Sequence, residues 1–205
     1  MSGESSPPRH RPGVIALHWL GAIVVVGALG VILAREAVDD RGLARQLLDA
    51  HRQLGLGVLV VAAIRAVLNP LLRVGTVNGM AMRLPLRLLA RLGHALLLVG
   101  LVATPLLGWA LSNARGQTLA LLGVLPLPTL LERNRDLADA LEQAHEVVAW
   151  TLIALAVLHA LAALWHHLVI RDGVLASMLP WRARRRVRAT PEPAPPVPSD
   201  SIPAP

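Results

Sequence analysis

The chain has 205 residues, 54% of them hydrophobic, a mean hydropathy of +0.54 and a formal net charge of +7. That balance places it in lipid, and the absence of cysteine excludes iron–sulfur clusters, disulfides and covalently attached haem. All of the fixed positive charge is arginine, clustered beside apolar runs with no nucleic-acid motif near it, so the basic pI of about 11.6 speaks for membrane topology and against a nucleic-acid partner.

Residues 1–12 are polar, with Ser, Gly and Pro, and are expected to be disordered. Four runs follow, each near the ~20 apolar residues that cross a hydrocarbon core as a helix: 14–34, 54–72, 88–111 and 147–170. The first is about twice the length of a signal-peptide core, and Leu33-Ala34-Arg35 is a poor cleavage context, so it is read as a retained membrane helix. Arginines mark the flanks. Arg9 and Arg11 precede the first run, Arg73, Arg83, Arg87 and Arg91 separate the second from the third, and six more lie between Arg171 and Arg188. The segment from Arg35 to Arg52 is charge-balanced, and the one from Glu132 to Glu146 is acidic. The positive-inside rule then puts both termini in the cytoplasm. The longest loop, 112–146, is expected to make a turn and a short amphipathic helix on the periplasmic surface. Residues 182–205 are basic and then proline-rich, and read as an extended cytoplasmic tail. The expected fold is therefore all-α: an integral-membrane four-helix bundle over 13–181, in a bacterial inner membrane, with lipid as its first partner.

Within these runs the side chains that carry chemistry are histidines. His145 and His159 are fourteen residues apart on one helix, which is ~1400° of rotation, so the two imidazoles share a face and lie ~21 Å apart. Sorted by depth, His51 and His145 form one level, and His18, His94, His159 and His166 form another. Two levels of paired imidazoles on a four-helix bundle suit two b-type haems, each with two axial ligands. Zinc is the rival, but it prefers three or four close ligands, often with carboxylates, and no acid accompanies His18 or His159 in its run. At the lower level, depth alone leaves His18 and His94 as competing partners of His159. Arg65, fourteen residues after His51, is the one charge deep in a run; it is read either as the counter-ion of a haem propionate or as a side chain snorkelling to the head groups. The tryptophans read as an interfacial belt, with Trp150 set either on the upper cofactor or on lipid. Gly55, Gly57, Gly93, Gly100 and Gly108 read mainly as close-packing positions.

Four segments carry a resemblance: ALHWL around His18, HRQLGLGVLVVAAIR from His51, LGHALLLVGLVATPLLGWALSNARG from Leu92, and AHEVVAWTLIALAVLHALAALWHHLVIRDGVLASMLP from Ala144. Together they resemble the bacterial cytochrome b561 family over about residues 12–181. The resemblance implies two haems b, His18 with His159 toward the cytoplasm and His51 with His145 toward the periplasm. It also implies electron passage between a periplasmic reactant, superoxide among the candidates, and ubiquinone. The alternatives are a cytochrome b subunit serving a periplasmic dehydrogenase or hydrogenase, and a metal-handling membrane protein without redox function. A quinone reduced at the lower level must take up protons, and His166, about two turns beyond His159 on nearly the same face, suits that relay, with His94 and Arg83 lining the same place. At the upper end Arg35, Arg41, Arg45, Arg52 and Arg115 are offset by Glu36, Asp39, Asp40, Asp49 and an acidic second loop, so a uniformly attractive surface for an anionic donor is not encoded. At best Arg52 and Arg115 form a local cationic patch, which keeps a docked protein donor in play.

Overall fold

The computed structural model describes residues 12–71, 84–171 and 174–179. Arg83, Trp181, both tails and most of the arginine cluster after Arg171 lie outside the described residues. Four helices are long and apolar enough to cross a membrane. Pro12 opens α1 (Pro12–Glu36), where its fixed φ suits a first helical position. A two-step turn, in which the Ala37 and Val38 amides donate to the Ala34 and Arg35 carbonyls, leads to Asp40. The Asp40 carboxylate accepts from the Leu43 amide at 2.6 Å and so caps α2 (Arg41–Leu71). α3 spans Leu84–Ala114 with Pro105 buried inside it, and α4 spans Arg135–Trp165, capped by the Asn134 side chain on the Leu137 amide at 3.0 Å.

Two helices are longer than their apolar runs. α2 begins thirteen residues before Leu54, and α4 twelve before Val147, both at the same end of the bundle. Polar residues continue each helix there because caps and backbone bonds hold it once lipid does not. The expected short amphipathic helix in 112–146 does not form as a separate element. Its residues 135–146 are the opening turns of α4, and the segment before them is a small antiparallel hairpin, β1 (Ala120–Leu121) and β2 (Leu125–Pro126). The connection is the three residues 122–124: Leu122 and Gly123 have φ of 53° and 70°, and the Val124 amide donates to the Leu121 carbonyl at 3.1 Å, which makes a tight turn with both central residues left-handed. We refer to this as the hairpin end.

The helices associate in two pairs, α1 along α2 and α3 along α4, joined by α2 against α3; α4 has no comparable approach to α1 or α2 among the described residues. Small residues make the close contacts, as expected where lipid removes the hydrophobic drive between helices. A Cβ on Gly57 would lie 3.6 Å from Val24, and one on Gly27 3.7 Å from Leu54, across the α1–α2 seam. The buried Val61 adds to that seam, 3.5 Å from where a Cβ on Gly21 would lie. In the other pair a Cβ on Gly100 would lie 3.0 Å from the buried Leu152. Gly55 and Gly93 differ from the close-packing expectation, since a Cβ at either would meet nothing within 4 Å. Beyond α4 the helix widens to a π turn, His166–Ile170, ended by Arg171 in the left-handed conformation at φ 58°. A last short helix, α5 (Val174–Met178), is tied back to α1: the Trp19 indole donates to the Met178 carbonyl at 2.7 Å. That tryptophan is thus a structural donor as well as an interfacial ring.

Gly100→Val should force α3 and α4 apart, at a cost of about 1–3 kcal/mol as overpacking of a seated side chain usually has. Gly30→Ala, at an exposed position where a Cβ meets nothing, should leave stability level or raised. Thermal midpoints of the two variants in detergent check the contrast.

Candidate functional site

Four of the sequence-selected histidines meet as two opposed pairs in the space between the helix pairs. At the hairpin end His51 of α2 faces His145 of α4, with ring centres 6.2 Å apart and planes at 88°. Toward the other end His18 of α1 faces His159 of α4, at 6.3 Å and 65°. An imidazole nitrogen lies about 2.0–2.1 Å from a bound first-row metal ion and about 1.1 Å from its own ring centre, so two imidazoles on opposite sides of one ion place their centres ~6.3 Å apart. Both pairs have that spacing. His94 approaches His159 more closely, at 5.2 Å, which is too short for two ligands opposed across one ion. His18 and His94, level in depth, thus stand at different distances from His159.

The upper pair is also oriented. His51 Nδ1 is 2.9 Å from the Ala28 carbonyl of α1, and His145 Nδ1 is 2.9 Å from the Thr104 carbonyl of α3. A carbonyl only accepts, so each Nδ1 carries the proton and each Nε2 keeps its lone pair. This is the arrangement that fixes the tautomer and ring direction of a metal-binding histidine. Gly108, one turn beyond Thr104, gives His145 its room: a Cβ there would lie 3.2 Å from the imidazole Cε1. His94 donates from Nδ1 to the Ala90 carbonyl of its own helix at 2.7 Å, which fixes its tautomer in the same way.

Arg65 turns toward α1. Its Nη1 lies 3.7 Å from where a Gly21 side chain would begin, and Gly21 is one turn from His18. Near His145, Thr104 Oγ1 and Trp109 Nε1 are buried with no hydrogen-bond partner. Sequence reading passed over Thr104 altogether; the only signal was its place one turn before Gly108 in the TPLLGW segment. Trp150 is exposed on the outside of α4, which settles it toward lipid. His166 opens the π turn, a widening frequent at functional sites. Among the described residues no three His, Cys, Asp or Glu side chains converge to hold a metal ion.

At the hairpin end the expected cationic patch is absent. Arg52 is paired with Asp49 at 2.9 Å and also holds the Gln117 side-chain carbonyl, while Arg115 is paired with Glu142 at 2.6 Å. The adjoining opening turns of α4 expose Asp136, Asp139, Glu142 and Glu146.

Comparison with known proteins agrees with this construction. The family model described as prokaryotic cytochrome b561 matches residues 9–181. The chain is 30% identical to cytochrome b561 homolog 2 of Escherichia coli (strain K12) over 185 residues, 87% of this chain and 95% of that one. It is 31% identical to the probable superoxide oxidase CybB of Yersinia pestis over 172 residues, 81% of this chain and 93% of the relative.

Proposed function

The chain belongs to the prokaryotic cytochrome b561 family, and from that premise we propose that it is a di-haem b protein carrying electrons through a bacterial inner membrane, from a periplasmic donor to quinone. The observation that carries this reading is the pair of opposed imidazole couples, at 6.2 and 6.3 Å and at two depths. His51 with His145, and His18 with His159, would hold the two haems. Bound haem would supply a one-electron iron couple, and two histidines holding it would favour electron transfer over oxygen binding. Arg65, which approaches Gly21 one turn from His18, would offer its guanidinium to a haem propionate. Thr104 and Trp109 offer unspent donors beside the upper couple.

The arginine distribution in the sequence puts the hairpin end in the periplasm. Reduction of a quinone to the quinol takes two electrons and two protons. His166 lies about two turns from His159, away from the hairpin end, and its imidazole is a candidate to deliver those protons. His94, beside His159, is the second candidate for the ubiquinone site. With superoxide as donor the balance is two superoxide anions oxidised to two O2 for each quinone reduced. The name of the Yersinia relative supports that donor. A second reading, a cytochrome b subunit docked to a periplasmic dehydrogenase or hydrogenase, draws on a specific feature: Arg52 and Arg115 are already paired with acids, beside an acidic stretch of α4.

His159→Ala should remove one haem's worth of absorbance and leave the other, and His145→Ala should do the same for the upper haem; full haem content in either variant overturns the ligand assignment. His166→Ala should keep both haems yet slow quinone reduction by ~100-fold, the lower range for losing a positioned proton donor. A parental rate in that variant places the quinone elsewhere. The two donor readings separate in stopped-flow reduction by superoxide at rising ionic strength. Fast reduction that slows with salt favours direct oxidation of the anion, because steering is screened, whereas a slow reaction favours a docked protein donor.

A further inference from the structure

The segment that closes the hairpin end is unsuited to water. From Gly116 to Leu131 it carries no charged residue. Its turn projects Leu122, Val124 and Leu125 at 79%, 84% and 59% exposure. Leu122 occupies a φ of 53°, at a turn position ordinarily filled by Asn, Asp or Gly. A leucine there carries a backbone cost and an exposed apolar side chain together.

The height of the turn is fixed by Gln53. Its amide nitrogen donates to the Ala120 carbonyl at 2.9 Å, and its carbonyl accepts from the Leu122 amide at 2.8 Å. The apolar run of α2 begins at the next residue, Leu54, so the turn is held at the boundary of the hydrocarbon rather than out in bulk water. The backbone suits that place. The amides of Leu122, Gly123, Val124 and Leu127 all have acceptors, and Pro126 and Pro128 have no N–H to satisfy. Satisfied donors are what a chain needs wherever water is scarce.

We propose that the β1–β2 turn is a membrane anchor whose Leu122, Val124 and Leu125 enter the acyl-chain boundary of the bilayer that the four helices cross. Its partner is phospholipid in the leaflet at the hairpin end. Charges resume at Glu132 and Arg133, where the chain leaves that boundary for the start of α4. Because Gln53 lies two residues from His51, the anchor braces the end of the bundle that carries the His51–His145 couple. The inference rests on the membrane fold and stands whether or not the donor and acceptor are as proposed.

The chain has no cysteine, so Val124→Cys gives a single attachment point for an environment-sensitive fluorophore in the otherwise intact, haem-loaded protein. In phosphatidylcholine nanodiscs the label at 124 should be quenched by doxyl-labelled lipid, and should be several-fold less sensitive to aqueous iodide than the same label on Glu132→Cys. Leu125→Cys repeats the measurement should Val124→Cys lose the parental elution profile. Iodide quenching equal to that at 132, without doxyl quenching, overturns the proposal. A label shielded from both quenchers overturns it too, since the turn is then covered by protein.

Discussion

Two hydrogen bonds set the geometry on which the site depends. His51 donates to Ala28 within one helix pair, and His145 donates to Thr104 within the other. Each bond spends Nδ1 on the helix packed alongside, so the ring turns its second nitrogen away from its own pair and into the space between the pairs. That the two remaining nitrogens belong to facing rings is the consequence. A buried imidazole without such a partner could rotate or change tautomer, and its lone pair would have no defined direction. The carbonyls are spaced along α1 and α3 by packing, so the rigidity of the helix pairs becomes the rigidity of the couple.

Packing within the pairs and spacing between them answer different demands. Gly27, Gly57 and Gly100 draw backbones together, where any side chain would touch Leu54, Val24 or Leu152. In contrast, α4 stays back from α1 and α2, and the histidine rings span the distance. A bundle packed equally on all sides would have closed that space with aliphatic side chains. Here the opposed imidazoles stand 6.2 and 6.3 Å apart in that space. The polar cost of this arrangement is limited, because ring nitrogens are matched to backbone carbonyls and Arg65 is tucked against Gly21.

The hairpin end shows the same economy with polar groups. Arg52, Gln53 and Asn113 each bind backbone or side chain of the 115–131 segment: Arg52 takes Gln117, Gln53 takes Ala120 and Leu122, and Asn113 joins the Gln117 carbonyl to the Leu130 amide. Because α2 supplies His51, Arg52 and Gln53 in succession, the last polar turn before lipid serves the couple, the ion pair and the hairpin at once. Charges there are neutralised locally, which makes the surface around the upper couple less cationic than its arginine content suggests.

The sequence by itself determined the membrane class, the four crossings and the two levels of histidine, because apolar length and helical period are local properties that survive any packing. It also placed His145 and His159 on one face, since fourteen residues nearly close four turns. It did not show that His94 stands closer to His159 than His18 does, nor that Arg65 approaches Gly21 of α1, nor that Arg52 and Arg115 are spent on Asp49 and Glu142. Those facts join residues from different helices, so they follow from how the pairs dock and not from any one helix. The hairpin was missed for the same reason. Its strands are two residues each, too short for periodicity to register, and they exist because Gln53, sixty-seven residues before Ala120, supplies the hydrogen bonds that hold them in place.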